Sequence, residues 1–176
     1  MTALRVVAAG VMALVLQGLL TRLVGAPSMR VDLGLVAVVW IALRFGRVPG
    51  LLGGTLVGLG QDALGGGILG LAGLAKSVAG FATGIIGTQF IVTQTVSRLM
   101  VFVGATLLHA LVFVGLSTLL GLKTPPDPSL DVAIQSLSNA VVGLFLFQVF
   151  ELTPGARALW RARRERLKRR QKRRYH

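Results

Sequence analysis

The chain has 176 residues, of which 53% are hydrophobic and only 14% charged, and its mean hydropathy of +0.75 is far above that of a water-soluble domain of this length. The formal net charge of +13 suggests nucleic-acid binding at first sight, but 11 of the 19 Lys and Arg lie between Arg157 and Arg174, so the rest of the chain is close to neutral. Cysteine is absent, which removes disulfide frameworks, zinc-thiolate sites and cysteine nucleophiles together.

A bilayer core requires about 20 predominantly apolar residues per helix, and six candidate segments of roughly that kind occur in order. The first is Leu4 to Leu20, and its apolar stretch Val6 to Leu20 after Arg5 has the length of a signal-peptide core, but the sequence around Gly25-Ala26-Pro27 is a poor cleavage site and further apolar segments follow. It is therefore expected to stay as a first membrane helix. The second and third, Val31 to Leu43 and Val48 to Leu59, are short and separated only by Arg44, Arg47 and Pro49, which predicts a hairpin with a tight turn. Such short spans are marginal, and a re-entrant third segment is the alternative. Ile68 to Ile86, Leu99 to Leu120 and Val132 to Phe150 complete the set. Gln89 to Val96 alternates polar and apolar residues as an interfacial stretch does, and the proline-dense run Lys123 to Pro128 is expected to be an extended loop.

The expected fold class is thus an all-α integral membrane protein, a bundle of six transmembrane helices over residues 1–154 followed by a basic tail over 155–176. Basic residues stay on the cytoplasmic side of short loops, and a cytoplasmic N-terminus puts 15 of them inside against Arg22, Arg30 and Lys123 outside, with Lys76 within a span. Six crossings return the tail to the same side.

Three groups of residues stand out. In the third segment Gly50, Gly54, Gly58 and Asp62 recur every four residues and share one helical face. Ala72, Lys76, Gly80 and Gly84 do the same in the fourth. Small residues at this spacing let helices approach closely in lipid, where packing must supply what the hydrophobic effect does not; internal packing of helices three and four is favoured over a partner-binding surface. The second group is polar. Lys76, His109 and Asn139 fall near mid-span with Gln17, while Asp32 and Asp62 stand at the outer ends of helices two and three. Each ionisable group there costs at least about 2.5 kcal/mol on insertion scales and needs a partner or a role. Mutual hydrogen bonding is the simpler account, a polar interior facing outward the sharper one. The third group is the tail, with Arg157, Arg161, Arg163, Arg164, Arg166, Lys168, Arg169 and Arg170 among its cations. Adsorption to anionic lipids at about 1 kcal/mol per basic residue explains it without a specific pocket, with docking of an acidic partner as the alternative. There is no metalloprotease helix motif, phosphate loop or nucleophile elbow in the sequence. A nonenzymatic role without cofactor or metal is the expectation.

The run Val31-Asp32-Leu33, the glycines Gly50 to Gly58, the exit Gly58-Leu59-Gly60-Gln61-Asp62-Ala63-Leu64 and the re-entry Leu69-Gly70-Leu71 leading to Gly80 resemble the MreD family of bacterial rod-shape membrane proteins. The resemblance covers Asp32 to Gly84, and Val31 stands where family members often have proline. It implies a membrane scaffold that binds the single-span protein MreC and, indirectly, supports RodA, a class B penicillin-binding protein and MreB in lateral peptidoglycan synthesis. The family's fold is similar to the substrate-binding subunits of energy-coupling-factor transporters. That similarity gives a competing expectation, a vitamin or small-metabolite specificity subunit whose ligand would meet Asp32, Asp62, Lys76, His109 and Asn139.

Overall fold

The computed structural model describes residues 2–24, 31–89, 94–122 and 128–151. Among them are six helices: α1 (Thr2–Val24), α2 (Leu33–Phe45), α3 (Arg47–Gly65), α4 (Leu71–Gln89), α5 (Thr95–Leu119) and α6 (Pro128–Glu151). The chain is an all-helical bundle. α1, α4, α5 and α6 are each long and apolar enough to cross a membrane, and α2 is a shorter apolar helix. The basic tail, including Arg157 to Arg170, lies outside the described residues, as do Arg30 and most of the proline-dense run.

α2 occupies the centre, touching each of the other five helices. Around it run α1, α3, α4, α5 and α6, each in contact with the next, while α1 and α6 do not meet. Leu35, Val38, Ile41 and Ala42 on α2 are almost wholly buried, whereas Leu33, Ala37, Trp40 and Arg44 recur at helical spacing as its one half-buried stripe. The outward-facing sides of α1, α5 and α6 carry exposed Val11, Leu16, Leu107, Leu111, Leu137 and Phe145, the surface that lipid solvates.

The α2–α3 connection is a single residue. Gly46 takes φ +100°, open to glycine and strained for other residues, donates its N–H to Ala42 O and accepts from Gly50 N. Pro49 then falls in the first turn of α3, where a missing N–H costs nothing. α3 runs six residues past the expected end at Leu59, to a left-handed Gly66 cap, so Asp62 belongs to its last turns and not to a loop. α4 is displaced by three residues from its expected span because Gly70, at φ +101°, still belongs to the turn. α5 starts four residues early, before the apolar run begins. Arg98 there is buried with its guanidinium 4.7 Å from the Phe147 ring centroid, so a cation covers the core instead of ending the helix.

The bundle has a near face, where α1 starts and α6 ends, and a far face, where α1 ends and α6 starts. An apolar cluster, with Val36, Val39, Leu43, Phe102, Ala140 and Phe147 from α2, α5 and α6, extends from mid-bundle toward the near face. Toward the far face the interior turns polar.

Candidate functional site

The third and fourth segments meet along their glycine faces. A Cβ on Gly50 would fall within 3.0 Å of Gly80 O, one on Gly54 against the Lys76 and Ser77 backbone, and one on Gly58 against Ala72 and Gly73. Gly80 meets Gly50 in return, and Gly84 meets the Arg47 backbone. Main chain therefore touches main chain along the whole length of the contact, the most extensive between any two of the described helices. Thr55 and Ser77 add a hydroxyl–hydroxyl hydrogen bond of 2.7 Å beside it.

Asp62 ends this face by capping the next helix. Its carboxylate accepts from the N–H groups of Gly70 at 2.8 Å, Ala72 at 3.1 Å and Gly73 at 3.3 Å. These are the donors that the start of α4 leaves without an intrahelical partner, and the negative charge suits the positive end of the helix dipole. Asp62 thus neutralises a helix end supplied by its own hairpin, and makes no ion pair with Lys76.

Lys76 instead reaches Asp32. Its Nζ lies 2.5 Å from Asp32 Oδ2, with the lysine 2% exposed. The pair sits where α2 begins, and the reason is the length of that helix. Thirteen residues span about 20 Å against a hydrocarbon core of about 30 Å, so one end of α2 must lie inside the bundle. A buried helix start exposes N–H groups that lipid cannot satisfy. Side chains from the other helices do so. Gln17 of α1 accepts from Leu33 N at 2.8 Å and donates to Val31 O. Asn139 of α6, fully buried, accepts from Asp32 N at 2.8 Å and donates to Thr106 Oγ1 of α5. Asp32 itself accepts from Leu35 N through Oδ1, to which Gln61 of α3 also donates. All six helices thus contribute a side chain to one cluster.

His109 of α5 completes it, with Nε2 3.3 Å from Lys76 Nζ. An ammonium has no lone pair, so Nε2 is the acceptor and the ring hydrogen belongs on Nδ1. That Nδ1 has no hydrogen-bond partner, nor does Gln61 Oε1. The chain Gln61, Asp32, Lys76, His109 therefore ends in an unused acceptor at one side and an unused donor at the other. The His109 ring stacks on Phe113, one turn further along α5.

The structure brings the polar residues Asp32, Lys76, His109 and Asn139 together and sets Asp62 apart with the glycines. Gln61 and Thr106 complete the cluster without standing out in the sequence. Gln61 lies one residue from the glycine face, so the 100° step along a helix turns it toward α2 and not α4. Among the described residues no three His, Asp or Glu side chains converge as a metal site requires. No family model, curated protein or solved structure matches the chain.

Proposed function

We propose that the chain is a nonenzymatic scaffold of the MreD type in the bacterial inner membrane. In this reading it binds MreC and, through it, supports RodA, a class B penicillin-binding protein and MreB in lateral wall synthesis. The chain passes between the two sides of the bilayer six times, with the start of the short α2 held inside the bundle, the near face and the tail are cytoplasmic, and the tail adsorbs to anionic lipids. The observation that carries the reading is the way the residues of the Asp32 to Gly84 resemblance interlock: Asp32 with Lys76, Asp62 with the start of α4, and Gly50, Gly54 and Gly58 with the α4 backbone. That unit is a rigid platform. A scaffold works by holding one shape for its partners, and a backbone-to-backbone contact with a buried ion pair across it resists deformation.

Purification from native membranes in mild detergent tests the proposal. Recovery of a single-span MreC protein is the expected result. Recovery of an ATPase module would overturn it in favour of a transporter subunit.

A further inference from the structure

The flank between α4 and α5 is not filled by the protein's own side chains. A cavity of about 270 Å³ lies there, open on one side, with buried Thr83, Val101 and Ala105 as its floor and exposed Ile86, Met100 and Gly104 along its rim. Small residues leave the space. The lining includes Ala82, Gly104 and Ala105, and a Cβ on Gly104 meets nothing within 4 Å, whereas Gly50, Gly54 and Gly58 of α3 are pressed against the α4 backbone.

Depth and length decide what fits. The groove runs along α5 from Met100 to Leu108, about 12 Å at the helical rise. Leu107 is the midpoint of α5, and Ala82 to Ile86 fall between the middle and the near end of α4, so the groove is confined to the near half of the bundle. Half of a hydrocarbon core of about 30 Å is about 15 Å, the depth of one leaflet. A spanning helix laid on this flank needs a track through the whole core, and a lipid chain needs only one leaflet of it. Water is the wrong occupant, since the lining offers a single side-chain hydroxyl, that of Thr83, and a buried water needs roughly two to four polar partners. Left empty, the groove deprives its apolar lining of dispersion contacts that hydrocarbon supplies.

We propose that this groove binds one acyl chain of a phospholipid from the leaflet on the near-face side, seated against Gly104 in preference to the lipid that merely surrounds the bundle. The proposal needs only that the bundle lies in a bilayer. It depends neither on the scaffold reading nor on which face is cytoplasmic.

The test uses the full chain in phosphatidylglycerol vesicles that contain a trace of phospholipid with a diazirine midway along one acyl chain. After photolysis, labelled residues are located by fragmentation mass spectrometry. Met100 and Phe145 of α6 form a matched pair, because each is 64% exposed and they lie five and six residues from the near ends of their helices. Only Met100 borders the groove. Labelling at Ile86 and Met100 should exceed that at Phe145, and Gly104→Phe, which fills the groove from a position with open space around it, should lower it about tenfold, as loss of a preferred site does. Phe145 should be labelled as before. Leu107→Phe adds the same bulk to an exposed position of α5 outside the lining and should change neither. Unchanged labelling at Ile86 and Met100 in Gly104→Phe overturns the proposal, as does an equal fall in Leu107→Phe. Absence of label from the groove in the wild-type chain overturns it too, because a second copy or another helix then covers this flank. Ala82→Leu fills the groove from α4 and keeps the test decisive if Gly104→Phe fails to fold.

Discussion

Lys76 of α4 and Asp32 at the start of α2 meet at 2.5 Å in the interior, and the backbone of α3 passes Lys76 so closely that Gly54 has no room for a Cβ. One lysine thus contributes its carbonyl to the α3–α4 contact and its ammonium to the α2 terminus. Replacing it separates the two roles. Lys76→Met keeps the length and the backbone but leaves the Asp32 carboxylate buried with Gln61 and Leu35 N as its remaining partners. Breaking a buried pair from one side costs about 3–5 kcal/mol, so this variant should melt well below wild type in detergent. Asp32→Asn with Lys76→Met removes both charges and should be less destabilised than the sum of the two single variants. Wild-type melting of Lys76→Met would show that the pair holds nothing together.

The glycines make opposite predictions according to what surrounds them. Gly54→Ala places a methyl against the Lys76 and Ser77 backbone, which cannot move aside as a side-chain end can. Overpacking of this kind costs about 1–3 kcal/mol. Gly104→Ala on α5 meets nothing within 4 Å and should be neutral or stabilising by up to about 1 kcal/mol, since alanine is the better helix former. Thermal unfolding of the two variants side by side checks this. Equal melting temperatures would contradict the close contact.

Much of this arrangement was legible from residue spacing. A repeat of four along a helix is a statement about one face, and Gly50, Gly54 and Gly58 therefore pointed to a close approach, with Gly80 and Gly84 on the natural partner. The polar residues announced themselves because each is expensive in an apolar segment. Spacing carries no information on which polar group meets which. The pairing of Lys76 with Asp32, and not with Asp62, follows from α2 being too short to span, which places its first residues at the depth of Lys76. Nor does hydropathy mark where a helix ends: α3 continues through Gly60, Gln61 and Asp62 because the Gly66 cap and the α4 amide groups lie beyond them.

Membrane topology is a prediction of the proposed function. If the chain passes between the two sides six times, a reporter fused after Pro128 lies outside and one fused after Arg174 lies in the cytoplasm. The two fusions should give opposite signals with a paired enzyme reporter active on only one side, and identical signals would contradict the six crossings, because α6 would then not pass from one side to the other.

Asp62 separates charge from hydrogen bonding at a helix end. Its two oxygens accept from Gly70, Ala72 and Gly73, and the residue is buried, so no water replaces it when it is removed. Asp62→Asn keeps one acceptor oxygen at nearly the same place and loses the favourable charge at the α4 terminus, which is worth roughly 0.3–1 kcal/mol, more where partly buried. Asp62→Ala loses every acceptor and leaves the α4 start unsatisfied, a loss of about 0.5–2 kcal/mol for the cap. The melting order should be wild type, then Asn, then Ala. Because Asp62 does not touch Lys76, its loss should add to that of Lys76→Met with little coupling, whereas Asp32→Asn should couple strongly to the same lysine change. A large coupling between positions 62 and 76 would mean that the carboxylate serves the ion pair and not the helix end.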